Sequence, residues 1–185
     1  MKHYSLQLRI WHWLCAVTVL GLLGTFFLRK TFLSWRANAE ILSTKLAEFG
    51  ITVSPEQAAA LAKAVRAPMW EWHIILGFVF AALVLWRLIV ILKEGFGYEP
   101  ENTHMAWVYR GYKVIYVVLT FMAISGIVLY FSKDIGLAKS VVGGVKEAHE
   151  IIAWVVAAFV VMHIAGVFLA DNKEQKGIVS RMISG

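Results

Sequence analysis

Four long apolar runs set the main constraint on what this chain can fold into. They cover residues 10–28, 70–92, 112–131 and 145–170, and each approaches or exceeds the roughly 20 residues that cross about 30 Å of hydrocarbon as a helix. The chain is 59% hydrophobic and only 16% charged, unlike an ordinary soluble domain. Glycines but no prolines interrupt the runs, as is typical of closely packed membrane helices. We therefore predict an all-α membrane protein, a single domain over residues 1–185 with a four-transmembrane-helix bundle.

The first run has some features of a signal peptide, since Lys2 and Arg9 precede an apolar core. That core is long for a signal, and three basic residues separate it from the Ala37–Ala39 stretch that would act as a cleavage site. We predict a retained membrane anchor. Cys15, the single cysteine, lies in this run and is predicted to be a small core residue.

The net charge of +6 points to lipid rather than nucleic acid. The basic residues flank the apolar runs instead of gathering on one soluble face, so anionic lipid headgroups are their predicted partners. Lys and Arg residues are divided equally between the two sides of the membrane, so the charge distribution does not fix the orientation.

The connection between the first two runs predicts a short helical hairpin outside the bilayer, at about residues 37–67. Its first helix, residues 37–49, is amphipathic, and Gly50 can act as its C-cap. The apolar face of this helix consists of Leu42, Leu46 and Phe49.

The second helix of the hairpin is predicted from capping signals. Ser54 and Gln57 form a capping box, Pro55 takes the first helical position, and Pro68 is expected to stop the helix just after Arg66. The hairpin is either a spacer or a lid or docking surface, and the sequence leaves both possibilities open.

Six histidines fall into two groups. His3 and His104 lie outside the apolar runs and are predicted to be solvated. The others lie at or inside the ends of the runs, where an ionisable side chain is costly and usually marks function. They are His12, His73, His149 and His163.

The alternating direction of the helices arranges these histidines in pairs. If the N-terminus lies on face A, His12 is near face A, whereas His73 and His149 begin helices at the opposite face B. His163 follows His149 by fourteen residues, which rise about 21 Å and stop about 40° short of four full turns. The two histidines of the fourth helix therefore share one side at opposite depths. His12 can meet His163 near face A, and His73 can meet His149 near face B.

Two facing imidazoles can bind a metal ion directly or hold a haem between them. Zinc usually takes three or four protein ligands, but haem iron needs only two axial nitrogens because the porphyrin supplies four. No Cys-x-x-Cys-His sequence is present, so any haem is of the non-covalent b type. Gly77, one turn after His73, leaves room for a flat macrocycle. A single membrane histidine is often only a hydrogen-bonding group, but four that pair by depth predict two haems b and electron transfer.

The motifs resemble those of a known family. Arg-x-x-His-Trp at residues 9–13, Trp-His-Ile-Ile-Leu-Gly at 72–77 and the His149–His163 spacing are similar to the four-helix di-haem cytochromes b. That family includes bacterial cytochrome b561 and the cytochrome b subunits of nickel–iron hydrogenases and thiosulfate reductases. The tail at residues 176–185 most resembles the hydrogenase branch. The long hairpin departs from the compact cytochrome b561 pattern.

The resemblance implies a set of roles. It implies a bacterial inner-membrane protein with cytoplasmic termini, a quinone that exchanges electrons near one haem, and Arg9 as the partner of a haem propionate, with Lys173 as an alternative. The axial ligands of the haem iron would be His12, His163, His73 and His149. Separately, aromatic residues near the ends of the second loop predict a quinone pocket on face A, lined by Trp107, Tyr109 and Tyr112.

Three functions compete at this point. The first is a respiratory electron-transfer subunit between the quinone pool and a periplasmic redox protein or a hydrogenase-like catalytic subunit. The second is a self-contained, quinone-linked oxidoreductase that acts on a small species such as superoxide at face B. The third is a membrane scaffold or transporter with structural histidines, although the spans lack the proline breaks that favour a transporter.

Overall fold

The computed structural model describes residues 4–96, 103–173 and 176–185, and this part of the chain contains helices and no strand. The helices are α1 (Leu6–Lys30), α2 (Trp35–Glu48), α3 (Pro55–Glu94), α4 (Thr103–Phe131), α5 (Lys139–Asn172) and α6 (Ile178–Ser184). Helices α1, α3, α4 and α5 are long and apolar enough to cross a membrane. The predicted all-α fold with four spans is confirmed.

One compact unit combines the chain up to Val17 with the chain from Gly77 onward, and it contains part of every spanning helix. The indole of Trp11 in α1 donates a buried hydrogen bond of 2.8 Å to the carbonyl oxygen of Leu83 in α3. From the next turn of α3, the Nε atom of Arg87 donates to the hydroxyl of Tyr116 in α4 at 3.1 Å. These two contacts join α1 to α3 and α3 to α4.

Two further contacts close the ring of helices. Ser125 of α4 contacts His149 of α5, with 2.7 Å between the Oγ and Nδ1 atoms. The rings of His12 in α1 and His163 in α5 lie 6.1 Å apart between centroids. Within this unit, α1, α3, α4 and α5 therefore contact one another in a closed cycle, which is a four-helix bundle.

The side of α5 that carries both histidines faces the interior between them. Ala153 and Val156, which lie between the two histidines of this helix on the same side, are buried. Side chains at these positions are small or β-branched, so the neighbouring helices can approach α5 closely.

The second compact unit, Thr18–Leu76, holds the rest of α1, all of α2 and the first part of α3. It contains the predicted hairpin. The Nζ atom of Lys63 in α3 lies 5.1 Å from the centre of the Trp35 ring in α2. Ala58 and Ala62, on the first turns of α3, are buried within the protein.

The turn of the hairpin is built as the sequence predicts. Gly50 has a φ of +76°, a left-handed conformation that glycine adopts without strain, and its N–H donates to the carbonyl oxygen of Ala47. The Ser54 N–H donates to the side-chain oxygen of Gln57, and the Gln57 N–H donates to Ser54 Oγ. This reciprocal capping box is confirmed, and α3 begins at Pro55.

Two details of the predicted hairpin are wrong. Pro68 does not end the second helix, because α3 runs without interruption from Pro55 to Glu94. A proline disturbs only the hydrogen bond to the carbonyl one turn earlier. Ala62 before it and Met69 after it are both buried, and burial of the flanking turns can offset the loss of one backbone hydrogen bond. Phe49 lies in the C-cap of α2 rather than on its apolar face, and its side chain is 78% exposed.

The hydrogen bond of Trp11 gives a test of the bundle. Trp11→Phe keeps an aromatic ring but removes the donor to Leu83, so we expect the free energy of unfolding in mixed micelles to fall by about 1–2 kcal/mol. Trp72→Phe is the matched control, since the Trp72 side chain is 62% exposed. Equal effects of the two substitutions would show that the buried hydrogen bond does not stabilise the bundle.

Candidate functional site

All four histidines of the spans turn their side chains toward the protein interior. Each is half-buried, although several of their neighbours in sequence face outward. Met162 and Ile164, on either side of His163, are both more than half exposed. Trp72, next to His73, is also exposed. The histidines therefore face the interior, whereas these residues beside them face outward.

His12 and His163 form a facing pair in the first unit. Their ring centroids lie 6.1 Å apart. An imidazole nitrogen lies about 2 Å from a metal ion that it ligates, so two opposed rings on one metal have centres roughly 6 Å apart. The ring of Phe159 stacks on His163 at 5.6 Å, and the ring of Trp13 meets His12 edge-on at 5.4 Å. This spacing fits one metal centre between the two imidazoles.

The ligand count favours a macrocycle over a bare metal ion. Among the described residues, no group of three or more His, Cys, Asp or Glu side chains comes together. A facing pair supplies only two ligands, whereas a zinc ion usually takes three or four. Haem iron fits such a pair because its porphyrin supplies the remaining four nitrogens.

His149 is held by α4. Its Nδ1 atom lies 2.7 Å from the Oγ atom of Ser125, which is only 4% exposed. The ring also lies against the α4 backbone, since a Cβ atom on Gly126 would be 3.5 Å from its Cε1 atom. A hydroxyl and a glycine on successive residues of α4 therefore fix the position of this imidazole.

His73, in the second unit, is held in the same way by α1. Its Nδ1 atom lies 2.7 Å from the Oγ1 atom of Thr25. The ring of Trp70 meets it edge-on at 5.3 Å. The sequence interpretation included neither Thr25 nor Ser125, because nothing in the local pattern distinguishes them from other hydroxyl residues of membrane helices.

Two arginines place positive charge beside the aromatic partner of His73. The guanidinium carbons of Arg29 and Arg66 lie 5.6 Å and 6.0 Å from the centre of the Trp70 ring. The Nε atom of Arg66 is buried and has no hydrogen-bond partner among the residues that the structure describes. This region of the second unit favours a negatively charged group.

Arg9, the predicted partner of a propionate, contacts the last helix. Its guanidinium donates to the carbonyl oxygen of Ile183 at 3.1 Å, and the neighbouring indole of Trp13 donates to that of Met182 at 3.0 Å. Within the described ranges the Nε atom of Arg9 is buried without a partner, so the side chain keeps a donor for an anionic group. Lys173, the alternative, is exposed at the C-cap of α5.

Arg87 is a further buried cation that the sequence interpretation missed. Its guanidinium lies 5.5 Å from the ring centres of both Trp11 and Tyr116. A charged residue inside a membrane span usually marks a functional site, and the position of Arg87 within residues 70–92 could have identified it from the sequence. Arg87 therefore contacts Trp11, the residue that directly precedes His12 in the sequence.

The aromatic residues predicted to line a quinone pocket are only partly grouped. The rings of Tyr109 and Tyr112 lie 6.4 Å apart. Trp107 is exposed, and the guanidinium of Arg110 lies 4.8 Å from its ring centre. His3 and the side chain of His104 lie outside the described part of the structure.

Comparison with known proteins gives one family. The family model for prokaryotic cytochrome b561 matches residues 3–185 and therefore covers all four spans and the four histidines. No curated protein and no solved structure matches the chain. The family implies a multi-pass bacterial membrane protein that binds haem b and transfers electrons. On a match of this length, the chain belongs to the prokaryotic cytochrome b561 family.

Proposed function

We propose that this cytochrome transfers electrons between the quinone pool and a periplasmic redox partner through two haems b, each held by two histidines. The partner would be a periplasmic redox protein or a hydrogenase-like catalytic subunit. The single observation that best supports the proposal is the 6.1 Å spacing of the His12 and His163 rings, which suits bis-imidazole ligation of one iron.

The residues around His12 and His163 would hold and shield one haem. The two imidazoles would hold the iron, and Phe159 and Trp13, whose rings contact His163 and His12, would cover them against lipid and water. The unpartnered Nε atom of Arg9 would bind a propionate. When bound, a haem with both axial positions filled accepts and returns single electrons without binding oxygen.

The second haem would be ligated by His73 and His149. Their pairing rests on the sequence, since both begin their spans at face B. The positive charges of Arg29 and Arg66 around Trp70 support an anionic group near His73, and the propionates of a haem are such groups.

The remaining assignments come from the family resemblance and the sequence. We propose cytoplasmic N- and C-termini, in the inner membrane, with quinone exchange on the cytoplasmic face near Tyr109 and Tyr112. The hairpin, residues 37–67, would then lie on the periplasmic side. Phe49 and Ile51 at its tip are 78% and 51% exposed, and these apolar side chains suit a protein surface better than water.

The first test counts the haems. We expect the purified cytochrome to contain two haems b per chain, because two pairs of histidines are available and no covalent attachment sequence is present. Acid and organic solvent should extract both, and a pyridine haemochrome assay against protein concentration gives the ratio. A stoichiometry of one haem in fully loaded protein would contradict the pairing of His73 with His149.

The second test assigns ligands to haems. His12→Ala and His163→Ala should each remove the same haem, leaving about half of the haem absorbance, because loss of one axial nitrogen weakens the ligation of that iron alone. His73→Ala and His149→Ala should remove the other haem. Potentiometric titration identifies which of the two redox transitions is lost. His3→Ala and His104→Ala serve as controls with both transitions intact, and loss of one transition by both His12→Ala and His149→Ala would refute the assignment.

The third test concerns the tip of the hairpin. The double substitution Phe49→Ser, Ile51→Ser should lower electron exchange with the co-purified partner about tenfold, since the loss of two apolar anchors costs roughly 1.4 kcal/mol or more of binding free energy. Haem content and reduction by quinol should stay unchanged. Ile41→Ser is the matched control, because Ile41 is similarly exposed but lies within α2, away from the tip. Unchanged exchange with the partner would make the hairpin a spacer.

A further inference from the structure

We infer that Thr25 and Ser125 are positioning residues that fix the Nε2 atoms of His73 and His149 as the ligand atoms and make both imidazoles stronger donors to iron. The inference rests on the proposed function, because it assumes that both histidines ligate haem. It concerns residues for which neither the family match nor the sequence motifs give any role.

The hydroxyl of Ser125 has a single hydrogen, and α4 already uses it. Ser125 Oγ lies 2.7 Å from the carbonyl oxygen of Phe121 and 3.2 Å from that of Met122, and neither carbonyl can donate. The hydroxyl therefore donates to its own helix and can only accept a hydrogen bond from His149. The Nδ1 atom of His149, at 2.7 Å, must then carry the proton.

Thr25 repeats the arrangement on another helix. Its Oγ1 atom lies 2.7 Å from the carbonyl oxygen of Leu22, to which the hydroxyl donates. The same oxygen lies 2.7 Å from Nδ1 of His73 and accepts its proton. Two helices thus supply the same device: a hydroxyl that is bonded back to its own helix and receives the Nδ1–H of a histidine on a neighbouring helix.

A neutral imidazole that carries its proton on Nδ1 has its lone pair on Nε2, and this lone pair is what a metal requires. Histidines that bind metals nearly always donate the other N–H to an acceptor, which orients the ring and raises its basicity. A more basic imidazole stabilises ferric over ferrous iron, so the hydrogen bond lowers the reduction potential of that haem.

The other histidine pair lacks this support. In the described part of the chain, the rings of His12 and His163 contact each other and the aromatic rings of Trp13 and Phe159, with no hydroxyl at Nδ1. The two haems would therefore differ in the hydrogen bonding of their ligands. A change at Thr25 or Ser125 should alter one redox transition and leave the other unchanged.

The experiment uses the full-length, haem-loaded cytochrome and removes one hydroxyl at a time. Thr25→Val keeps the shape of the side chain, and Ser125→Ala leaves only a small space. Each should raise the midpoint potential of one haem in a potentiometric titration and change its ferric low-spin electron paramagnetic resonance signal. Each should also speed the transfer of that haem to a haem-scavenging protein about tenfold.

Matched controls separate the hydrogen bond from packing. Ser132→Ala removes a buried serine that directly follows α4 and whose hydroxyl donates to the carbonyl oxygen of Leu129 in that helix. Thr120→Val removes the hydroxyl of a half-buried threonine that donates to its own helix. Within the described part of the chain neither hydroxyl bonds to a histidine, so both substitutions should leave the two potentials unchanged. Thr25→Ser and Ser125→Thr keep the hydroxyl and should retain both wild-type potentials.

The outcomes distinguish this inference from the proposed function. Wild-type protein without haem b would refute the proposed function and the inference together. Two haems whose potentials are unchanged by both Thr25→Val and Ser125→Ala would overturn the inference alone. An equal shift in Thr25→Ser and Thr25→Val would also overturn it, since packing rather than the hydroxyl would then control the potential.

Discussion

The absence of water from the hydrocarbon region governs how this protein is built. A polar group there must find its partner inside the protein, or it costs several kcal/mol. Lipid tails are as apolar as leucine, so apolar side chains alone give the helices little reason to associate. The indole of Trp11, the guanidinium of Arg87 and the imidazole of His149 each reach a partner on the next helix. The contacts that satisfy buried polar groups are therefore the contacts that order the bundle.

The same constraint bears on the proposed haem site. If His73 ligates iron as proposed, two influences on that iron have opposite signs. The hydrogen bond to Thr25 makes the imidazole more electron-donating and lowers the reduction potential, whereas the positive charges of Arg29 and Arg66 favour the reduced, less positive haem and raise it. The effect of these charges is indirect, because the arginines contact Trp70 rather than His73, and lipid headgroups or propionates would screen them. The hydrogen bond, by contrast, acts directly on the ligand side chain. In the proposed site, a local contact would therefore tune the haem independently of the surface charge.

Features that depend on local periodicity could be predicted from the sequence. Apolar run length predicted the four spans, helical geometry predicted that His149 and His163 share a side of α5, and the Ser54–Gln57 spacing predicted the capping box. Contacts between distant residues could not. Thr25 lies 48 residues from His73, so no local pattern relates the two. The prediction that Pro68 ends a helix was wrong for a related reason, because the burial of Ala62 and Met69 in the flanking turns cannot be read from the local pattern.

Arg9 shows how one side chain can link the proposed haem site to helix α6. Helix α6 has only seven residues, too few to be stable alone in water, and its last carbonyl groups are satisfied by Arg9 and Trp13 on α1. Among the described residues, the buried Nε atom of Arg9 has no acceptor, and an unsatisfied buried donor costs roughly 1–3 kcal/mol. A carboxylate that binds this atom would remove that cost and hold the guanidinium in the position that α6 requires. Binding of an anionic group beside His12 and docking of α6 would then stabilise each other through one residue.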